Sequence, residues 1–487
     1  MTALQAALPL PWRPGRIALL VGGGLSFVGL VALRAAGLHT GLLYPDGYQY
    51  LLMARGIAEH LEPVATLGQG GDVLGPSSDA AAKPLFPAIV ALLSALGVSP
   101  LAAARAVTVV AGAAVPVLTG LVALRLRTGR GPAFVAALLC VSSPTLAYWY
   151  GFAGPDPLAP ALALGAALAL LHRYPVAGGM LAGLCVLARP EYALVAGAAA
   201  IVGIAVRTTR REALQATAAG SLVVAALLAL VRPPVGLPEP EALGGVLLLV
   251  GVAACVLLVA GRVGPLGATC LAAAVILPFA LLDGGAWASL GRQDWALLTL
   301  AGAGFVLCLS SPGARSTALR IVALSLPLGV AYWVKNPGLA RYVAQLVPEL
   351  ALVAALGLGT LRRGRVLATT AAAGILAVGA VAATQPIVGT DAFQELAPAL
   401  ARTPAGPLVT AAPDAYGVLL DDRPIRVMRP GMEGLVLVDA AARAYEPGLR
   451  AEGTVVARIP VTTGFLRPDG TIDRAPALLY RGRVVRR

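Results

Sequence analysis

Two aspartates occur in sequence contexts where a carboxylate can act on a bound substrate. Asp46 lies in the segment YPDGYQYLLMARGIAEH, and Asp156 lies in GFAGPDPLAP just before Pro157. A carboxylate in either place can serve as the general base that removes a proton from an attacking hydroxyl group. Each also fits a local role as a helix N-cap, Asp46 with Gln49 completing a capping box and Asp156 ahead of a helix-opening proline. The sequence leaves both interpretations open.

Four basic residues stand near predicted helix ends, where they can bind a phosphate group. The chain has only two lysines, Lys83 in KPLFP and Lys335 in WVKNPGLARY. Arg189 lies in LARPEY, and Arg341 follows Lys335 closely. Lysine and arginine bind phosphate oxygens through charge-assisted hydrogen bonds. Alternatively, these side chains snorkel to lipid headgroups, as long basic residues at helix ends do.

Aromatic residues accompany these charges and predict a wall against which a sugar can stack. The predicted lining of a substrate cavity consists of Tyr48, Tyr50, Tyr148, Tyr150, Glu191 and Tyr342. A divalent metal ion is an alternative use of the acids, with Asp46, Asp156 and His60 as candidate ligands. No other cofactor is expected. The chain contains no Walker loop, so direct use of a nucleoside triphosphate is not indicated, and it contains no GxSxG motif for a serine nucleophile.

The composition indicates which elements must position these residues. The 487-residue chain is 58% hydrophobic and 13% charged, with a mean hydropathy of +0.81. Soluble domains carry about 25% charged residues. This excludes a soluble enzyme, a disordered chain and a disulfide scaffold. The five cysteines fall in apolar runs without metal-binding spacing. The net charge of +13 comes largely from arginines in short loops, a pattern of membrane topology rather than of nucleic-acid binding.

A membrane-spanning helix needs about 20 apolar residues. The sequence predicts a polytopic α-helical protein with about 13 such helices. They are 16–36, 101–124, 132–148, 157–171, 175–188, 191–206, 213–231, 242–260, 264–282, 295–311, 318–334, 341–360 and 366–385. With the N-terminus in the cytoplasm, the loop arginines alternate as the positive-inside rule requires. An odd number of spans places the C-terminus outside the cell membrane.

Two regions outside these spans carry most of the polar sequence. Residues 37–100 are predicted to form a long outer loop within a transmembrane domain of residues 1–390. The loop contains a surface helix from Gly47 to His60, a second apolar stretch from Pro84 to Val98, and a mobile Gly/Ser-rich segment between them. Residues 391–487 alternate short β-type runs with turn signals, which predicts a small extracytoplasmic α/β domain.

In these residues the chain resembles the GT-C glycosyltransferases, especially the protein O-mannosyltransferase and aminoarabinose-transferase group. In that family an acid opens the first outer loop ahead of a surface helix, which Asp46 resembles. A basic residue before proline and leucine precedes a second surface helix, as Lys83 does. Asp156, the turn at 189–191 and Arg341-Tyr342 are similar to later family elements. The family often has an Asp-Glu pair where this chain has Asp46-Gly47.

The resemblance implies transfer of a hexose or pentose from a polyprenyl-phosphate donor to a lipid, glycan or protein acceptor on the outer membrane face. Asp46 would be the general base of an inverting reaction, assisted by Asp156. Lys83, Arg189, Lys335 and Arg341 would bind the leaving phosphate. One alternative is a transporter or flippase of lipid-linked sugars, for which Glu349, below the end of its helix, is the residue to suspect. A polysaccharide polymerase or ligase shares the donor and the sidedness.

Overall fold

The computed structural model describes residues 46–231, 294–335, 341, 344–361, 392–420, 422–466 and 472–486. Most of the first part is helical. The helices up to residue 231 are α1 (Asp46–His60), α2 (Ser78–Ala81), α3 (Leu85–Ala95), α4 (Pro100–Arg125), α5 (Arg130–Ser142), α6 (Pro144–Trp149), α7 (Leu158–Leu171), α8 (Pro175–Ala188), α9 (Tyr192–Ala205) and α10 (Arg210–Val231). They are followed by α11 (Trp295–Ser310), α12 (Pro312–Lys335), a 3₁₀ turn (Ala344–Leu346) and α13 (Val347–Thr360).

Two helices in the described part are long and apolar enough to cross a membrane. They are α4 and α10, with mean hydropathies of 2.2 and 2.1 over an 18-residue window. Seven further apolar helices have 10–17 residues. The predicted spans 16–36, 242–260, 264–282 and 366–385 lie outside the described residues. The structure therefore supports a multi-helical apolar body, and the count of 13 spans stays a prediction.

One predicted span is divided. Residues 132–148 form the separate helices α5 and α6, which meet at Ser143 and Pro144. Ser143 has an extended backbone, and its hydroxyl accepts a hydrogen bond from the Leu146 amide at 3.1 Å. Because proline disfavours a helical conformation in the residue before it and suits the first position of a new helix, the chain restarts there.

Small residues bring several helices into close backbone contact. A Cβ added to Gly179 of α8 would lie 2.0 Å from the Ala216 carbonyl oxygen of α10, and one added to Gly183 would lie 2.5 Å from that of Gly220. A similar contact joins α11 to α13 at Gly304 and Gly357. Closely approaching small residues are typical of helix packing in membranes, where the hydrophobic effect does not drive helices together.

The C-terminal part of the chain forms the predicted α/β unit. Its strands are β3 (Leu408–Thr410), β4 (Ile425–Val427), β5 (Glu433–Val438), β6 (Leu449–Ile459) and β9 (Ala477–Arg486), joined in the order β4-β3-β5-β9-β6. Strand β3 is parallel to β4 and β5, whereas β9 is antiparallel to β5 and β6. The helices of this unit are α14 (Ala392–Ala401), α15 (Pro413–Leu419) and α16 (Ala440–Tyr445). A two-stranded ribbon pairs β7 (Phe465–Leu466) with β8 (Ile472–Asp473). The predicted boundary at 390/391 lies outside the described residues.

The Gly/Ser-rich segment of the outer loop is docked on this α/β unit, so the prediction that it is mobile was wrong. Strands β1 (Ala65–Thr66) and β2 (Val73–Leu74) pair within it. The Asp72 amide donates to the Ile425 carbonyl at 2.9 Å, and the Ile425 amide donates to the Leu67 carbonyl at 3.1 Å. Gly68 has a φ of +66°, and a Cβ there would lie 2.0 Å from the Arg423 carbonyl oxygen. Glycine thus allows the loop backbone to lie directly against the unit.

Helix α1 is held between the apolar body and the α/β unit. The Tyr48 ring packs edge-on against Phe393, and Phe393 packs in the same way against Tyr416 and Phe465, with ring centroids 5.5–5.7 Å apart. These side chains belong to one buried cluster that also includes Phe86 at the start of α3. The first turn of α1, which carries Asp46, is therefore fixed from both sides.

Candidate active site

Arg341 connects the two predicted catalytic aspartates. Its Nη1 atom donates a hydrogen bond to Asp46 Oδ2 at 2.7 Å, and its Nε atom donates to Asp156 Oδ2 at 2.8 Å. Asp46 lies in the first turn of α1, and Asp156 lies just before α7. These residues are separated by 110 or more positions in the chain, so the fold brings them together.

A second arginine extends this arrangement. Arg189 donates from Nη2 to Asp156 Oδ1, and its Nη1 atom is 3.9 Å from Glu191 Oε1. Asp46, Arg341, Asp156, Arg189 and Glu191 therefore form one continuous series of ion pairs, called the charged network below. It combines three carboxylates with two guanidinium groups, so each buried charge has an opposite charge beside it.

The charged network is exposed at one end. The side chains of Asp156 and Arg189 are 2% and 1% exposed, and that of Arg341 is 7% exposed. The Asp46 side chain is 28% exposed. Burying a charge is costly unless an opposite charge and hydrogen bonds compensate, which explains the pairing of the inner residues. Asp46 is therefore the most exposed member of the network.

Local sequence explains how the inner residues are placed. Helix α8 ends at Ala188, and Arg189 takes an extended conformation before Pro190, which turns its side chain out of the helix direction. At the start of α7 the N-cap residue is Pro157, whose ring carries no hydrogen-bonding group that could cap the helix. The Asp156 carboxylate binds two arginines instead, so the interpretation of Asp156 as a simple helix cap was wrong. Gln49, proposed to complete a capping box with Asp46, accepts a hydrogen bond from Ser77 Oγ at 2.9 Å.

The other predicted phosphate-binding residues are Lys83, which the structure describes fully, and Lys335, of which it describes the backbone. Lys83 is 2% exposed and lies just before α3. The Phe86 ring of α3 packs against Tyr50, with ring centroids 5.7 Å apart. Tyr50 in turn approaches Gly154, near Asp156. Lys83 is therefore buried at the start of a helix that packs, through Phe86 and Tyr50, close to Asp156. Lys335 ends α12, and its side chain, like the whole of Tyr342, lies outside the described residues.

Of the predicted cavity tyrosines, Tyr48 and Tyr50 are buried, whereas Tyr148 and Tyr150 are partly exposed. Tyr48 is fully buried against Phe393, so its ring packs α1 against the α/β unit instead of lining a cavity. Tyr50 is also buried, beside Phe86. Tyr148 lies in an aromatic group with Trp149 and Phe152, at ring distances of 5.0 and 5.4 Å. Tyr150 is half-buried and lies beside Gly112 of α4.

His60 does not join Asp46 and Asp156, the other two proposed metal ligands. His60 is at the opposite end of α1 from Asp46, which is about 21 Å at 1.5 Å per residue. Its side chain is 68% exposed and lies near Glu59. Asp46 and Asp156 both hydrogen-bond to Arg341, whose positive charge opposes a cation at that position. Among the described residues no group of three or more His, Cys, Asp or Glu side chains is placed to hold a metal ion. The residues as arranged do not fit the predicted metal site.

Sequence reasoning missed one buried polar residue near the network. Gln345, in the 3₁₀ turn before α13, is completely buried. Its amide has no hydrogen-bond partner within the described part of the chain. The sequence around Gln345 offers no motif that would have singled it out, and its burial in the structure is what makes it notable.

Solved structures share this fold. The apo oligosaccharyltransferase of Archaeoglobus fulgidus aligns with a TM-score of 0.55 and 13% identity, over 84% of this chain and 64% of its own. The same archaeal enzyme, in complex with an inhibitory peptide and a dolichol-phosphate, gives 0.50 and 12%, over 82% and 64%. Arabinofuranosyltransferase AftD from Mycobacteria gives 0.50 and 17%, over 93% and 41%.

The chain thus spans about two thirds or less of the length of these proteins. At such identities the likeness establishes the fold, and it confirms the predicted resemblance to GT-C glycosyltransferases at that level. No family model matches the chain, and no curated protein matches it in sequence.

Proposed function

We propose that this protein is a membrane glycosyltransferase that moves a sugar from a polyprenyl-phosphate donor to an acceptor hydroxyl on the outer face of the cell membrane. The observation that carries the proposal is the charged network, which joins one exposed carboxylate to two buried guanidinium groups. Glycosyl transfer from a lipid phosphate requires a base and a phosphate-binding group in one site, and the network contains both.

In the proposed reaction Asp46 acts as the general base. It accepts the proton of the acceptor hydroxyl as that oxygen forms a bond to the anomeric carbon. The bond from this carbon to the phosphate oxygen breaks, and its electron pair leaves with the polyprenyl phosphate. Arg341 and Arg189 bind the phosphate and stabilise the charge that develops on it, with Lys83 and Lys335 as further candidates. Attack from the face opposite the phosphate inverts the anomeric configuration.

This geometry requires the pair between Asp46 and Arg341 to open. The two groups are 2.7 Å apart, whereas in an inverting reaction the sugar lies between the base and the phosphate. A donor phosphate that binds Arg341 replaces Asp46 as its partner and leaves the carboxylate free to accept a proton. Asp156, bonded to both arginines, holds them in place during this exchange. No step of this sequence requires a metal ion.

The fold neighbours support the choice of donor. The archaeal oligosaccharyltransferase with this fold has been solved with a dolichol-phosphate, a polyprenyl-type lipid phosphate. We propose that the same class of lipid binds here and that the acceptor is a lipid, a glycan or a protein. The transmembrane domain would comprise residues 1–390 with the N-terminus in the cytoplasm, and residues 391–487 would form the extracytoplasmic domain.

The test is a glycan and glycolipid profile of the cell envelope from a deletion strain of the source organism. The strain is complemented with wild type, Asp46→Asn or Glu59→Gln at matched membrane levels. Glu59 lies on the same helix, with a side chain 54% exposed, and serves as the control. One glycan should lose one type of sugar, and wild type and Glu59→Gln should restore it while Asp46→Asn should not.

Two results would count against the proposal. Full restoration by Asp46→Asn would remove Asp46 from catalysis. Loss of the sugar with the lipid-linked donor trapped on the cytoplasmic side of the membrane in the deletion strain would favour the flippase alternative.

A further inference from the structure

Gln345 and Glu349 form a polar patch inside an otherwise apolar part of the molecule. Gln345 is completely buried, and neither Nε2 nor Oε1 has a hydrogen-bond partner within the described residues. The Glu349 Oε2 atom is likewise shielded from solvent and has no partner in the described part. Buried polar groups in folded proteins are almost always hydrogen-bonded. Two such groups one helical turn apart indicate a place where a polar ligand completes the bonding.

The patch lies next to the charged network. Leu346, the residue after Gln345, packs in one buried cluster with Ala188 and Tyr192, which flank the network residues Arg189 and Glu191. Gln345 follows Arg341 by four residues, a length of chain that spans at most about 14 Å. The patch therefore lies close to both arginines of the charged network.

The surroundings of the patch match the chemistry of carbohydrate binding. Ala344, just before Gln345, packs in a buried cluster that includes Trp149 and Phe152. An amide both donates and accepts hydrogen bonds, and a carboxylate accepts them, which suits adjacent sugar hydroxyls. Aromatic rings supply apolar faces that pack against the carbon side of a sugar ring. A few placed polar groups among apolar and aromatic side chains are typical of small-molecule sites.

We infer that Gln345 and Glu349 bind the hydroxyl groups of the donor sugar while the arginines hold its phosphate. This inference rests on the proposed function. It assigns sugar recognition to this patch and phosphate recognition to the charged network, and the two contributions are separable by experiment.

The experiment measures the lipids retained by purified protein. Asp46→Asn protein, which binds the donor without consuming it, is isolated from membranes of the source organism with and without Gln345→Met. Mass spectrometry then gives the ratio of glycosylated to unglycosylated polyprenyl phosphate, using the native lipid pool as the probe. Gln345→Met preserves side-chain length but removes the amide. It should lower this ratio about tenfold while the total polyprenyl phosphate stays the same.

Two further variants keep the result interpretable. Glu349→Gln changes the charge at nearly constant shape and should also lower the ratio. Thr119→Val is the matched control, because Thr119 is equally buried but its hydroxyl donates to the Val115 carbonyl at 2.7 Å. It should leave the ratio unchanged. Gln345→Met should not lower the apparent Tm, since it removes a buried polar group that lacks a partner.

The outcomes separate this inference from the proposed function. If Asp46→Asn protein retains glycosylated polyprenyl phosphate and Gln345→Met and Glu349→Gln leave the ratio unchanged, the sugar subsite is wrong and the transferase proposal stands. If no polyprenyl phosphate species is retained by any variant, the proposed function fails and the subsite with it.

Discussion

Two buried sets of charges in this protein are built differently. In the C-terminal unit, Arg423 donates hydrogen bonds to the carbonyls of Leu400, Pro404 and Gly406, all within 23 positions of it. Asp439 accepts from the Ala442 amide, which caps α16, and from the Tyr416 hydroxyl. These charged side chains therefore form hydrogen bonds with backbone and side-chain groups that are near them in the sequence. In the charged network, acids and arginines from distant parts of the chain bind one another.

The difference indicates which charges serve folding and which serve chemistry. The Asp439 carboxylate is buried and bonded to a helix end and a tyrosine, so a ligand has no access to it. The Asp46 carboxylate is 28% exposed and paired with an arginine, so a substrate can take the place of that partner. We therefore expect changes in the charged network to reduce activity more than stability, and changes at Asp439 and Arg423 to do the reverse.

The largest effect on activity is expected from Asp46→Asn. Loss of a general base typically lowers the rate by about 10²–10⁴. The amide keeps the size of the side chain, so the apparent Tm in detergent should stay close to that of wild type. Rates of sugar transfer in purified membranes, normalised to folded protein, measure this. A large drop in Tm with a normal rate per folded molecule would place Asp46 with the structural charges.

The next largest effect is expected from Arg341→Gln. It removes the group that links Asp46 to Asp156 and is proposed to hold the leaving phosphate, so the rate should fall by about 10²–10³. Arg341→Lys keeps the positive charge but replaces the planar guanidinium fork with a compact ammonium, and its rate should be intermediate. Equal rates for Arg341→Gln and wild type would mean that the arginine only neutralises buried acids.

Asp439→Ala should show the opposite pattern. It removes the cap of α16 and the partner of the Tyr416 hydroxyl, which should cost about 1–3 kcal/mol of stability. Thermal unfolding measures the loss, and transfer per folded molecule should be unchanged. Tyr416→Phe removes one of these bonds and should cost less, and the double variant should be less destabilised than the sum of the two. A loss of activity without a loss of stability would contradict the assignment.

The smallest expected effect is on the pH dependence of stability. Partial burial alone would raise the pKa of Glu395, but hydrogen bonds from the hydroxyls and amides of Thr462 and Thr463 lower it to about 2. Because the folded pKa is below the unfolded value, these bonds stabilise the fold above pH 4.5 and are lost as the pH falls towards 2. Glu395→Gln should reduce the fall in Tm over that range. The difference should correspond to less than about 1 kcal/mol, since water screens the side chain. An identical pH profile for both proteins would show that the bonds contribute nothing.

Much of the helical layout follows directly from the sequence. The predicted helix 175–188 has the observed bounds, because Pro175 opens it and Arg189-Pro190 ends it. The division at Ser143-Pro144 was missed because apolar composition continues across it. The docking of the loop at 66–74 was missed because glycine occurs both in mobile loops and where two backbones lie in close contact. The contact of Gly68 with the Arg423 backbone, which identifies the second case, is visible only in the structure.

The site was predictable in its residue types but not in its connections. The acids and bases that the predicted topology places on the outer side were recognisable one by one. Nothing in the sequence indicates that Arg341 bonds to both Asp46 and Asp156, since 185 or more positions separate it from each. Asp156 and Asp46 both fit local capping patterns, and local patterns do not reveal a distant partner. The buried Gln345 has no charge and no motif around it, so only its burial makes it notable.

The central claim is that Asp46 activates an acceptor for transfer from a lipid phosphate. The most direct test incubates purified wild type, Asp46→Asn and Glu59→Gln with a total lipid extract and cell-envelope acceptor from the source organism. Mass spectrometry then follows the polyprenyl phosphate species over time. Wild type and Glu59→Gln should convert one glycosylated species to free polyprenyl phosphate, and Asp46→Asn should leave it intact. Conversion by Asp46→Asn at the wild-type rate, or no conversion by wild type, would contradict the account.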